Sequence, residues 1–249
     1  MSTSRNLNRG SRHEAAKLER DWGETSGAGA IHVQIPLFPL RTVLFPGMAL
    51  PLRIFEERYK TMVRELLDSG GVFGVLLIRE GEEAGGGATP YTIGTTARIE
   101  HCARLEGGRF ALTARGEKRF RLLRMLPARP YPYGEIEVLE EEPPAQTTHL
   151  TLAMETVRTT FPAYFRLALS LTDQWAQSLK LPSDPHKLVD FIAPWVQIDE
   201  EAKQRLFEIV PADERVAHLA EVLDELLERT REQVIDYRRR KFLSVGALN

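Results

Sequence analysis

Cys102 is the only cysteine in a chain of 249 residues. A disulfide needs two thiols and a cysteine-based zinc site needs several, so neither can form within the chain. An excess of one charge is missing too: 33 Lys and Arg face 35 Asp and Glu, for a formal net charge of −2. That balance argues against a protein built mainly to neutralise nucleic-acid phosphates, although a local basic face stays open. No apolar run reaches the roughly 18 residues of a membrane-spanning helix. The amino-terminal stretch MSTSRNLNRGSRHEAAKLERDWGETSGAGA has no apolar block of the secretory kind. It is basic at first, with Arg5, Arg9, Arg12, Lys17 and Arg20, and residues 1–31 read as a disordered, solvated tail. A short helix around Glu14 to Arg20 would lack an apolar face. Cytoplasm is the expected compartment.

The signatures of catalysis are also missing. There is no Gly-x-Ser-x-Gly to expose a nucleophile on a strained turn, and no Gly-x4-Gly-Lys-Ser/Thr to cradle phosphates. Ser178 and Lys180 stand two residues apart, which on a helix points them in different directions. The histidines are scattered, with no His-x3-His pair of metal-ligand type. Glu100, His101 and Cys102 are neighbours, and in a strand His101 faces away from both. Paired carboxylates such as Glu56 and Glu57, or Glu140 to Glu142, read as solvated. No catalytic residue, metal ligand or cofactor is expected, and the chain reads as a non-enzyme.

What the chain does have is concentrated in IPLFPLRTVLFPGMALPLRIFEERY, residues 35–59. Pro36, Pro39, Pro46 and Pro51 interrupt a run of large apolar side chains. Proline has no backbone donor, so the segment reads as an extended, poorly pairable arm anchored by Leu37, Phe38, Leu40 and Leu44. A helix follows, with Phe55, Tyr59, Met62, Val63, Leu66 and Leu67 at helical spacing and Gly70 placed to end it. Val72 to Ile78 is a short continuous apolar run, as in a strand buried on both faces. Gly85 to Gly87 mark a flexible loop. Short strand-like runs with regular turns then continue to Glu140, including a hairpin turn at Gly107 and Gly108, and predict a small barrel.

Beyond Pro143 the periodicity becomes helical. Pro162 is expected to kink or divide the first helical stretch. Pro185 opens a helix with Leu188, Phe191 and Ile192 on one face, Asp199 caps another, and Val216, Leu219, Ala220, Leu223, Leu226 and Leu227 form a broad stripe in a long last helix. The fold class is thus α+β, with a β part over 32–142, a helical part over 143–236 and a short tail over 237–249.

One basic cluster stands out: Arg115, Lys118, Arg119, Arg121, Arg124 and Arg129, with Phe120 among them. Basic strands with an aromatic can bind RNA. Glu100, Glu106, Glu117, Glu135 and Glu137 lie in the same or neighbouring strands, however, and cross-strand pairing would consume much of that charge. Arg238 to Lys241 suits a helix C-terminus complementing its dipole.

With these parts in place, the proline-rich opening running into Phe-Glu-x-Arg-Tyr resembles the start of the Lon N-terminal domain, the substrate-recognising part of ATP-dependent Lon proteases. The similarity continues through GGVFGVLLI, IGTTARIE, LEGGRFALTARGEKRFRL and YPYGEIEVLEEE, and more weakly through the helical end, covering residues 32–236. It implies a PUA-like β pseudo-barrel followed by a C-terminal α-helical bundle. The chain ends at Asn249, short of any ATPase or peptidase module, and so resembles free-standing Lon substrate-binding-domain proteins. The implied function is binding of exposed hydrophobic or unfolded polypeptide segments, as a quality-control adaptor or chaperone-like factor working beside a protease or chaperone. RNA binding through the barrel is the alternative. Phe45 and Met48 in the LFPGM turn, and Tyr131 and Tyr133 in YPY, are the candidate substrate-binding residues. The leucine stripe of the last helix leaves self-assembly as a third reading.

Overall fold

The computed structural model describes residues 31–246, apart from 84, 86, 128, 173 and 175–178. The amino-terminal tail through residue 30, Ser178 and residues 247–249 lie outside the described residues. The chain divides into two units, residues 1–44 with 49–140 and residues 45–48 with 141–249.

The first unit is built around the proline-rich segment, which pairs far more than its prolines suggest. Strand β1 (Ile31–Leu40) runs antiparallel to β7 (Tyr133–Val138) through Pro36, then parallel to β3 (Phe73–Glu80) from Leu37 onward. Leu37 N–H donates to the Pro132 carbonyl at 2.8 Å. Odd residues of β1 therefore turn their amides toward β7 and even ones toward β3. Pro36, an even residue, precedes the first β3 pair, and Pro39, an odd one, follows the last β7 pair. Each missing donor falls where, among the described residues, no partner strand lies, so neither proline costs a ladder bond.

From β7 the sheet continues through β6 (Phe110–Met125) and β5 (Ile93–Arg104) to β3, and the β1–β3 pairing closes a ring of five strands. The two-residue β4 (Thr89–Pro90) adds to β3. Strand β2 (Ala49–Ile54) adds to the first half of β6, and Pro51 sits in it as proline does in an edge strand. Glu106–Gly108 makes the β5–β6 turn, with Gly107 and Gly108 at φ near 70°. The ring interior holds Ile35, Leu37, Leu76, Phe120, Ile136 and Val138. On the outer side of β1, Phe38 meets Tyr59 of helix α1 (Glu57–Ser69) with ring centroids 4.2 Å apart. Burial pushes the Tyr59 phenol up to about 12. Gly70 ends α1 in the left-handed conformation, φ 68°, its N–H returned to Leu66 O. Phe55 and Leu67, expected on the packed stripe, are exposed.

The second unit comprises α2 (Thr148–Ser170), α3 (Pro185–Ile192), α4 (Glu200–Glu208) and α5 (Ala212–Gly246). Thr147, Asp184 and Asp199 cap the first three through side-chain oxygens that accept from Leu150, Lys187 and Ala202 amides. Replacing Asp184 with alanine is expected to cost about 1 kcal/mol in chemical denaturation, the usual value of such a cap. Helix α2 is not divided at Pro162 but runs on to Ser170. It packs along α5, whose Val216, Leu219, Leu223 and Leu226 are buried as the stripe predicts. Thr160 Oγ1 donates to Asp224 Oδ1 across the pair at 3.1 Å. Arg215 of α5 is wholly buried, and its guanidinium donates to His186 Nδ1 at 2.7 Å. His186 Nε2 meets the Glu142 carbonyl at 3.0 Å. A carbonyl can only accept, so Nε2 is the nitrogen that donates to Glu142, and with Nδ1 against Arg215 both ring nitrogens are engaged in packing the bundle.

Candidate substrate-binding surfaces

The four residues expected to contact substrate divide between the two units. Phe45 and Met48 belong to the helical unit, Tyr131 and Tyr133 to the barrel unit. Phe45-Pro46-Gly47-Met48 is a tight turn closed by Met48 N–H to Phe45 O at 3.0 Å, with Gly47 at φ 79°. Proline second and a left-handed glycine third are what a type II turn requires. The turn delivers Phe45 edge-on to Phe207 of α4, centroids 5.2 Å apart at 79°. Phe45 is 1% exposed, and Tyr131 is 2% exposed. Both are interior residues, against the expectation that they line an open face. Tyr131 donates its hydroxyl to Glu65, and burial, then that bond, pushes its phenol up. Met48 and Tyr133 are half-buried. Tyr133 donates to the Gln34 carbonyl at 3.1 Å, and the Arg129 guanidinium lies 4.2 Å above its ring.

Open apolar surface occurs instead on the helical unit. Helix α3 buries Leu188, Val189 and Ile192, and a 3-10 turn, Ala193–Trp195, extends it by one turn through Pro194. Trp195 therefore stands one turn beyond Phe191. Trp195 is 56% exposed and Phe191 38%, although Phe191 was expected on the packed face with Leu188 and Ile192. Phe165 of α2 supports the indole edge-on at 5.7 Å and is itself backed by Phe161 at 5.5 Å. Just past the tryptophan, the Gln197 amide donates to Tyr164 Oη at 3.0 Å, and burial raises the Tyr164 phenol. The indole is thus held out on a rigid support. The sequence signal for it was a helix running straight into Ala-Pro-Trp.

On the barrel unit, β2, β6 and β5 together line a shallow groove of ≈ 750 Å³. Pro51, Arg53, His101, Ala103, Ala111 and Thr113 contribute to it, with Cys102 half-buried among them. Burial pushes the Cys102 thiol up, away from the thiolate a nucleophile needs. Among the described residues, no group of three or more His, Cys, Asp and Glu side chains could hold a metal ion.

The basic cluster of the barrel is met by glutamates. Arg98 pairs with Glu117 at 2.8 Å, Arg121 with Glu137 at 2.9 Å, Arg124 with Glu135 at 2.6 Å and Arg115 with Glu100, and Arg119 is buried. The hydrogen bond from Arg115 holds the Glu100 carboxyl below the usual range.

A five-stranded ring with two added strands, together with capped helices, defines an α+β domain. Residues 34–225 match the sequence model of the ATP-dependent protease La (LON) substrate-binding domain, and the chain belongs to that family. The Lon protease of Anaeromyxobacter dehalogenans is 28% identical over 192 residues, which are 76% of this chain and 23% of that protein. Lon protease 2 of Myxococcus xanthus is 27% identical with the same coverage. The chain thus spans about a quarter of the length of the curated relatives it matches. Among solved structures, a Lon N-terminal domain protein from Xanthomonas campestris aligns with a TM-score of 0.55 at 27% identity, covering 75% of this chain and 96% of that one. The N-terminal domain of the Mycobacterium avium complex Lon protease gives 0.50 at 19% identity, covering 79% and 98%, and shares the fold. The kinship is with the substrate-binding part of those proteases, which is non-catalytic, and it supports a substrate-binding role. No helix among the described residues is long and apolar enough to cross a membrane.

Proposed function

We propose that the protein is a non-enzymatic receptor for exposed hydrophobic segments of unfolded polypeptides, serving quality control as an adaptor or chaperone-like factor in the cytoplasm. The observation that carries this reading is the rigid, open aromatic surface of Trp195, Phe191 and Phe165 on a member of a substrate-binding family. Aromatic side chains bury large areas for few rotatable bonds, so a supported indole suits loose, shape-driven capture. Such capture is governed by apolarity, with little sequence specificity. The arginine–glutamate pairs of the barrel support this reading over RNA binding, because the cations that RNA would need already face carboxylates.

The test is binding of fluorescently labelled, permanently unfolded casein at two salt concentrations. The parent protein is expected to bind with little change between them, whereas phosphate contacts would weaken steeply with salt. Trp195→Ser is expected to weaken binding about tenfold or more, as loss of an anchoring aromatic does. Its exposure means the fold should survive. Unchanged casein affinity in Trp195→Ser would remove the aromatic surface from the reading.

A further inference from the structure

Among the described residues, strand β2 pairs with β6 alone. The Leu105 amide donates to Arg109 O at the start of the β5–β6 hairpin, which makes Ala103–Ala111 and His101–Thr113 the next hydrogen-bonded pairs. Odd residues at the start of β6 thus bond to β5, and the even ones, Phe110, Leu112 and Ala114, bond to Ile54, Leu52 and Leu50 of β2. What remains is the outer edge of β2, formed by Ala49, Pro51 and Arg53. Among the described residues no strand pairs with it. Pro51 lacks a donor there, so the edge offers two amides, Ala49 and Arg53, about 13 Å apart along the strand, and three carbonyls between and beside them.

Two features say what fits. Proline at the centre of the edge obstructs pairing with a long regular strand, yet leaves its carbonyl as an acceptor. A short extended segment of a few residues loses little by this. Arg53 is exposed and has no ionic partner among the described residues, in contrast to Arg98, Arg115, Arg121 and Arg124 of the same unit. Its neighbours on the same face are Ala49 and Pro51, and the exposed Phe55 follows just beyond the strand. That face therefore asks for a carboxylate opposite Arg53 and an apolar side chain two residues along.

We propose that the outer edge of β2 is a strand-addition site that holds the backbone of a short, extended, acid-bearing apolar segment of the unfolded substrate. This rests on the receptor reading and adds a second grip, directed at the peptide backbone and distinct from the aromatic surface.

Residue-resolved amide exchange of the intact chain tests it, with a synthetic valine-rich peptide carrying one glutamate as probe. Without peptide the Ala49 and Arg53 amides are expected to exchange rapidly, while those of Leu50 and Leu52, bonded to β6, are protected. Saturating peptide is expected to slow Ala49 and Arg53 about tenfold or more, and Arg53→Glu to weaken the peptide about tenfold. The same peptide N-methylated at alternate amides should not bind. Binding that leaves both amides unchanged would overturn the edge site and leave the receptor reading standing. Protection that needs no peptide and grows with protein concentration would assign the edge to a second copy of the chain, and would also overturn it. Failure of the parent protein to bind either this peptide or casein would take down the receptor reading, and the edge site with it.

Discussion

Phe45→Ala is expected to lower the stability of the helical unit by about 3–5 kcal/mol, the range for removing a fully buried phenylalanine. The ring is 1% exposed and meets Phe207 edge-on, so truncation removes both its own burial and the aromatic contact of α4. Residues 31–140 contain no tryptophan, whereas Trp195 lies in the helical unit. Urea denaturation followed by tryptophan fluorescence in a Trp22→Phe background, which removes the tryptophan of residues 1–44, therefore reads the unit in which the loss should appear. Were Phe45 an open substrate contact, truncation would change stability by no more than about 0.5 kcal/mol and would weaken casein binding instead. A small stability change of that kind would refute the packing described for the turn. Residues 45–48 lie in sequence between β1 and β2 yet group with the helices, so the chain passes between the two units at 44–45, 48–49 and 140–141.

The sequence signals that held were local ones. Gly70 was placed to end α1 and does so, because a left-handed residue there returns its amide to the helix. Asp199 and Pro185 were read as helix starts and are, since each acts within a single turn of backbone. The α+β class followed from the change of period near Pro143. The fate of the barrel arginines was legible for a similar reason, because glutamates at matching spacings in neighbouring strands find them once the register is set. What could not be read was whatever depends on a distant partner. The proline arm looked unpairable because nothing in the sequence says that β1 changes partner between Pro36 and Leu37, which is what spares its missing amides. Phe45 and Phe191 exchanged roles for the same reason. Phe45 looked like an open loop residue, but Phe207, far along the chain, covers it. Phe191 looked like core, but the side of α3 turned inward carries Leu188, Val189 and Ile192 and leaves Phe191 partly open. Nor did spacing reveal that Arg119, one of the basic cluster, is buried. Trp195 is the instructive omission: exposure of an aromatic is a property of what fails to pack on it.

Gly94→Ala should disrupt the barrel unit more than any comparable change at its turns. A Cβ at Gly94 would lie 2.4 Å from the Val75 carbonyl oxygen, 2.6 Å from Leu76 Cδ2 and 2.8 Å from Phe120 Cζ. The first of these is backbone of the neighbouring strand, in the segment where Val75 pairs with Thr95, so relief requires β3 and β5 to part. Overpacking of a core costs about 1–3 kcal/mol, and a backbone obstacle puts this case at about 3 kcal/mol or above. Gly108 offers the contrast. Nothing lies within 4 Å of a Cβ there, and alanine pays only for its φ of 69°, about 1–2 kcal/mol. A double-mutant cycle separates side-chain from backbone obstruction. At Gly74 the near atoms are all side chain, Phe120 Cζ at 2.7 Å and Leu37 Cδ2 at 2.9 Å, so Phe120→Leu should recover much of the loss in Gly74→Ala. The same partner change should recover little in Gly94→Ala, because the Val75 oxygen stays where it is. Equal rescue at both positions, measured by urea denaturation followed by circular dichroism, would mean that the Val75 carbonyl can yield and that the ring is looser than its register implies.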